Sequence, residues 1–184
     1  MAKLENVDLR TRWQDQNVYK KDGQWTVDGR PVVDVALSYL QHPPNIPGKT
    51  WLGLLVTAPP NAATPPHTHA GAAINATIIR GHMLNQMVHS YVDPVTGETK
   101  THDSGPKVYG PGESWYEAPG CHHVRSENVG DEEAVFIANL VVSDEVFRGL
   151  DPSAKGIEAD FAKIGRVFII DKDMEESTRP SVQK

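Results

Sequence analysis

Ala58-Pro59-Pro60-Asn61-Ala62-Ala63-Thr64-Pro65-Pro66-His67-Thr68-His69 runs on through Ala70-Gly71-Ala72-Ala73-Ile74 toward Gly81. The prolines interrupt regular structure and the His-x-His pair restarts it. On an extended strand alternate side chains share a face, so His67 and His69 aim at one point while Thr68 turns away. A third histidine, His123, follows the Pro119-Gly120 turn far downstream. Two imidazoles from one strand and one from a distant strand make a half-built metal site.

The residues around this trio carry a family pattern. The downstream segment reads Gly112-Glu113-Ser114-Trp115-Tyr116-Glu117-Ala118-Pro119-Gly120-Cys121-His122-His123, with Asn128 beyond it. The His-x-His, its spacing to Gly81, and Gly112 through His123 together resemble the two signature motifs of the cupin superfamily. Three positions depart from the pattern. Ile74 (or Ala73) stands where the family has its ligand glutamate, Ala118 where it has a proline, and the step from His123 to Asn128 is one residue too long. The resemblance implies a divalent metal held by His67, His69 and His123, and it implies Gln86 as the fourth ligand, because related bacterial cupins carry a Gly-x4-Gln element at the spacing of Gly81 and Gln86. A glutamine carbonyl oxygen is a neutral acceptor able to bind a dication. Iron is the favoured ion, with nickel, manganese and zinc also compatible with neutral imidazoles and an amide oxygen.

Strand parity gives a competing reading at the same place. A hairpin closed at Arg80-Gly81 pairs Ile79 with His82, which turns Met83, Asn85 and Met87 toward the metal and Gln86 away; a bulge reverses that parity. Gln86 is retained here on the family pattern.

Composition bounds the remaining possibilities. The chain of 184 residues suits one domain with its own apolar core. A net charge of −6, with no run of Lys or Arg among 18 basic residues, argues against a nucleic-acid partner. The single cysteine, Cys121, allows no internal disulfide, and no basic start leads into an apolar leader, so the expected compartment is the reducing cytoplasm. No stretch approaches the length of apolar chain that a membrane span requires.

Short strand signals separated by Gly and Pro dominate the chain. Asp22-Gly23 and Asp28-Gly29 mark tight turns between short edge strands. Val32 to Leu40 and Trp51 to Ala58 are apolar runs on either side of a Pro-rich loop. Asn75 to Ile79 and Met83 to Tyr91 read as a hairpin about Arg80-Gly81, and the Asp93 to Gly97 turn leads into Glu98 to His102. Ser114 to Glu117, Val124 to Glu127 and Ala134 to Val142 complete at least eight strands. Such a pattern means a sandwich or barrel, and the resemblance selects the all-β double-stranded β-helix, or jelly roll. The core barrel is expected over about residues 30–143. In the extension over 144–184, Asp144 to Leu150, Ser153 to Ile164 and Asp171 to Ser177 have helix-compatible spacing, Val167 to Ile170 reads as a last strand, and Glu175 to Lys184 as a frayed end.

Other residues take quieter readings. His122 faces opposite His123 on the pleat, and His42, His82, His89 and His102 carry no partner spacing and read as solvated. Trp115 and Tyr116 face opposite sides of their strand, one of them into the core. Cys121 reads as a small hydrophobe. Tyr116, His122 and Glu117 are the acid or base candidates near the second motif, with Tyr116 and His122 preferred. The function implied is a metal-dependent enzyme acting on a small oxygen-rich molecule, dioxygenase-like by resemblance to histidine-rich cupins. The alternatives are an isomerase, decarboxylase or lyase of the same type, or a non-catalytic binding or storage barrel. A homodimer formed through edge strands is expected.

Overall fold

The computed structural model describes residues 7–151 and 153–173. In chain order the strands are β1 (Val18–Lys21), β2 (Gln24–Val27), β3 (Asp34–Gln41), β4 (Lys49–Ala58), β5 (Ala63–Thr64), β6 (His67–Thr68), β7 (Ala73–Arg80), β8 (Met83–Val92), β9 (Thr99–Asp103), β10 (Lys107–Tyr109), β11 (Ser114–Glu117), β12 (His122–Asn128), β13 (Ala134–Ser143) and β14 (Ile169–Ile170). One sheet of five strands runs β11-β7-β13-β4-β3. Facing it is a sheet of seven, β10-β8-β12-β6-β14, with β5 added beside β12 and β9 beside β8. All pairings are antiparallel, so the fold is the expected all-β jelly roll.

The two sheets close on an apolar interior. β13 alternates buried and half-buried residues along its whole length, and its inward set Phe136, Ala138, Leu140 and Val142 packs with Leu52, Leu54 and Val56 of β4 and Ile74, Ala76 and Ile78 of β7. This period of two is what one solvated and one buried sheet face require.

The chain turns that the sequence marks are present, with one change of meaning. Asp22 and Gly23 both take positive φ, 51° and 82°, in the tight turn that joins β1 and β2 into a separate two-stranded ribbon. Arg80-Gly81, in contrast, closes no hairpin: β7 pairs with β11 and β13 in one sheet, and β8 pairs with β9, β10 and β12 in the other. Gly81 is where the chain crosses between sheets. Its φ is 75° and a Cβ there would lie 2.6 Å from Ala134 Cα, so the crossing needs glycine on two counts. The hairpin between β8 and β9 is as expected, with the Asp93 carboxylate accepting from the Val95 and Thr96 amides inside its turn.

The C-terminal extension does not trail from the barrel. A 3-10 turn, Asp144–Phe147, leads to one helix, α1 (Ile157–Val167), which starts after Gly156 rather than at Ser153. Asp151 instead spends its carboxylate on the Ser153 backbone and hydroxyl. Helix α1 buries Lys163, Ile164 and Val167 on one face, and β14 then pairs with β6, so the strand expected over Val167 to Ile170 is confined to its last two residues. The expected frayed end lies outside the described residues, as does the helix expected over Asp171 to Ser177 beyond Asp173. No helix among the described residues is long and apolar enough to cross a membrane.

Candidate metal centre

The three histidines of the motifs meet. His67 and His123 are register partners across β6 and β12, His69 follows two residues later, and one ligand atom from each of the three lies within 4.8 Å of the others. His67 and His123 are almost wholly buried and His69 half-buried. The imidazole planes are held from outside the cluster. His67 Nδ1 contacts Pro65 O at 2.7 Å and His69 Nδ1 contacts Val167 O at 3.2 Å. A carbonyl only accepts, so each Nδ1 carries a proton and each ring is turned with Nε2 toward the cluster, the arrangement that orients ligating imidazoles.

Their protonation fits the same use. Burial drives the His67 pKa well below its ordinary value, and the neighbouring His69 and His123 push it further down. Burial, then His69, lower that of His123 to about 3. Both rings are therefore neutral across the physiological range.

The fourth member of the cluster is Glu117. Its Oε2 lies 3.4 Å from His69 Nε2 and its Oε1 lies 3.4 Å from His123 Nδ1. The Trp115 indole N–H donates to Oε1 at 2.8 Å and fixes the carboxylate. Glu117 is the register partner of Ile74, the residue that stands at the family's glutamate position. Cross-strand partners share a face, so the carboxylate absent from β7 is supplied from β11, one strand over, to the same interior. In the sequence Glu117 is one of three acid or base candidates; its stronger signal is the period of two, which puts Glu117 on the buried face with Trp115.

Gln86, expected as the fourth ligand, does not join the cluster. Its amide nitrogen donates to both carboxylate oxygens of Asp103, at 2.8 and 3.0 Å, and it does not line the cavity that the histidines share. Met83 and Met87 pack instead with the apolar interior, the parity that the alternating reading gave, although the hairpin behind that reading does not exist. A bulge is present, but it falls in β12 between His123 and Arg125. It supplies the residue by which the second motif is too long, and it lets His123 and Ser126, three positions apart, line the same cavity. Asn128 ends the motif as a loop clamp: its amide donates to the carbonyls of Ala58, Pro59 and Glu132 and accepts from the Gly130 amide.

The preferred acid or base candidates lie elsewhere. Tyr116 is 59% exposed on the face opposite Glu117. His122 contacts Asp171 at 2.7 Å and sits edge-on to Trp13. Neither lines the histidine cavity. Cys121 is a buried free thiol whose pKa burial raises, so it offers no thiolate. Of the histidines read as solvated, His42 and His102 are exposed, whereas His82 and His89 are half-buried.

The cavity encloses about 40 Å³ and is walled by apolar side chains that include Val35, Leu54, Phe136 and Phe168. Phe168 of the extension stacks on His67 with ring centroids 4.4 Å apart. Within this largely apolar lining both nitrogens of His123 and Oε2 of Glu117 are buried and have no hydrogen-bond partner among the described residues. Each such atom costs about 1–3 kcal/mol. A divalent cation would take one nitrogen from each imidazole and a carboxylate oxygen at once, so the donor set fits a metal.

No family model matches the chain, and no curated protein matches it. Its structural neighbours include a cupin domain and a protein with a double-stranded β-helix domain. A cupin domain from Bordetella pertussis Tohama I is 17% identical with a TM-score of 0.41, over 62% of this chain and 97% of that one. An oxalate oxidase in complex with the substrate analogue glycolate is 19% identical with a TM-score of 0.41, over 73% and 66%. Peruvianin-I, a cysteine peptidase from Thevetia peruviana latex, is 20% identical with a TM-score of 0.37, over 59% and 61%. The chain thus spans less than two thirds of the length of the last two.

Proposed function

We propose that the protein is a metal-dependent enzyme of the cupin type. It acts on a small oxygen-rich organic molecule at a divalent ion held by His67, His69 and His123, with Glu117 beside them. The reaction best suited to this set is dioxygenase-like oxidation, with iron as the favoured ion. The observation that carries the reading is the convergence of three imidazoles and one carboxylate, several of their atoms unpartnered among the described residues, inside a largely apolar cavity. A bound divalent ion supplies Lewis acidity toward a substrate oxygen and, when redox-active, a path for electrons.

The chain's own residues do the rest. Pro65 O and Val167 O hold two imidazoles with Nε2 presented. Trp115 holds one oxygen of Glu117 and leaves the other free to accept a substrate proton. The apolar walls lower the local dielectric and so strengthen every electrostatic contact within. That free carboxylate oxygen also favours a second reading, a non-oxidative isomerase, decarboxylase or lyase driven by proton transfer at Glu117.

Elemental analysis of protein from its native source comes first. Metal-loaded protein is then screened against enolisable ketones, hydroxy acids and polyphenols, with dioxygen uptake and product mass both recorded. Stoichiometric iron with dioxygen consumption coupled to substrate loss is the expected result. Turnover without dioxygen consumption selects the second reading. Absence of turnover with iron, nickel, manganese or zinc overturns the enzyme reading in favour of a binding barrel.

A further inference from the structure

Beyond the four residues of the cluster, the interior carries polar side chains whose side-chain atoms make no hydrogen bond among the described residues. Ser126 of β12 is the register partner of Thr64 on one side and of Asn85 on the other. Cross-strand partners share a face, so Thr64, Ser126 and Asn85 form a row across three strands on the interior surface of the larger sheet. All three are at least nine-tenths buried, at 7%, 4% and 3% exposure. Thr64 and Ser126 line the same cavity as His67, His69, His123 and Glu117. Behind them the Asn85 amide has neither its nitrogen nor its oxygen hydrogen-bonded, although both are buried. Asn85 itself stands outside the cavity lining, and an unsatisfied buried amide in the same register row as two hydroxyl residues is a costly arrangement.

Register also sets its distance from the cluster. His67 pairs with His123 and Thr64 with Ser126, so the row lies three residues along the same strands. Strand rise, shortened by the bulge in β12, puts this at roughly 7–10 Å. No lysine or arginine lines the cavity. A carboxylate at the row would be buried without a counter-charge, in a cavity that already holds Glu117.

We propose that Thr64, Ser126 and Asn85 form a recognition strip for a neutral hydroxyl or carbonyl at the far end of a short bifunctional ligand whose near end is bound at the histidine cluster. The ligand class is therefore a small molecule with one metal-binding oxygen group and one uncharged polar group, as opposed to a dicarboxylate. This rests on reading the cluster as a metal centre.

Three hydroxamates with the same metal-binding head test it: propionohydroxamate, 3-hydroxypropionohydroxamate and malonomonohydroxamate, whose far ends are methyl, hydroxyl and carboxylate. Affinities are read from the visible spectrum of the cobalt-loaded protein, and metal stoichiometry is measured separately for each variant. The wild type is expected to bind the hydroxyl probe about tenfold tighter than the methyl probe, the gain of one good hydrogen bond, and the carboxylate probe most weakly. Ser126→Ala combined with Thr64→Val is expected to remove the hydroxyl preference while leaving the methyl probe's affinity and the metal content unchanged. Because the readout is a ratio between probes within one protein, a general loss of stability does not mimic it. Equal binding of methyl and hydroxyl probes by the wild type, or a preference that survives the double variant, overturns the strip. The Asn85 side-chain amide resonance, followed with millimolar probe in metal-free protein, separates this from the metal reading. A shift caused by the hydroxyl probe and not the methyl probe sustains the strip even if the protein binds no metal. Absence of that shift in both metal-free and zinc-loaded protein overturns the strip even if the metal is present.

Discussion

Glu117 and Glu127 are two carboxylates of the second motif, on strands β11 and β12 that follow one another in the chain but lie in opposite sheets; they are 3% and 2% exposed, yet their surroundings differ in kind. Glu127 faces the outer side of the larger sheet and is fully answered. Arg125 Nε and Arg30 Nη1 both donate to it, Gln16 adds a third donor, and Arg125 also reaches the Thr11 carbonyl, tying the N-terminal segment to the barrel. Burial raises the Glu127 pKa, but the hydrogen bonds and charges of the two guanidiniums more than offset it and leave the pKa below its ordinary value. Glu117 faces inward, receives one indole N–H, and leaves an oxygen without a hydrogen-bond partner among the described residues, beside the histidine cluster. One carboxylate completes a structural network, while the other, with its histidines, waits for a cation. Burial of a charged group alone does not separate the two; the completeness of its partners does.

The largest expected effects fall on metal binding and break the comparison at its inner half. His123→Ala should lower cobalt affinity by at least about a hundredfold, since the remaining ligands cannot fill the coordination shell. Removing an unsatisfied buried imidazole should meanwhile leave the metal-free protein no less stable. Stoichiometric metal in the triple variant His67→Ala, His69→Ala, His123→Ala would place the site elsewhere.

The outer half should respond in the opposite sense. Arg125→Met leaves Glu127 buried with one guanidinium fewer, which costs about 3–5 kcal/mol. For a chain of this size that is a fall in Tm of roughly 10 °C, read by calorimetry, with cobalt affinity unchanged.

Acid should separate the halves again. A histidine whose folded pKa lies below its unfolded value binds more protons when unfolded. His67 and His123 should therefore make metal-free protein progressively less stable as pH falls from about 6.5 toward 3, where His123 itself protonates. Glu127, depressed in the folded state, contributes stability that is present above its unfolded pKa near 4.5 and lost below it. A denaturation series between pH 7 and 4 should show the histidine limb first, and His123→Gln should flatten it.

Smaller effects sharpen the assignment of the carboxylate. Glu117→Gln should weaken metal binding by roughly 10–100-fold. The exchange Ile74→Glu with Glu117→Ile, which keeps the carboxylate on the same interior face, should recover much of that loss. Gln86→Ala should leave metal affinity within about twofold of wild type, because its amide is spent on Asp103. A large loss there would restore Gln86 to the ligand set.

Local pattern determined much of this protein by itself. The period of two in β11 and β13 and the Gly and Pro punctuation yielded a sandwich or barrel of short strands, which the family resemblance narrowed to a jelly roll, and the His-x-His followed by a distant histidine marked the three residues that meet at its centre, because pleat and turn chemistry depend on near neighbours in the chain. Tertiary structure decided the remainder. Whether β7 and β8 form a hairpin or cross between sheets depends on what packs against Gly81, which is Ala134, more than fifty residues away. The one-residue excess in the second motif became a bulge only once β12 had paired with β8. Most of all, the carboxylate of the site comes from Glu117 because β11 pairs with β7 in a register that sets it opposite Ile74. Spacing within one segment conveys which residues share a face, but register between strands decides which faces hold the same cavity, and that is set by the packing of the whole barrel.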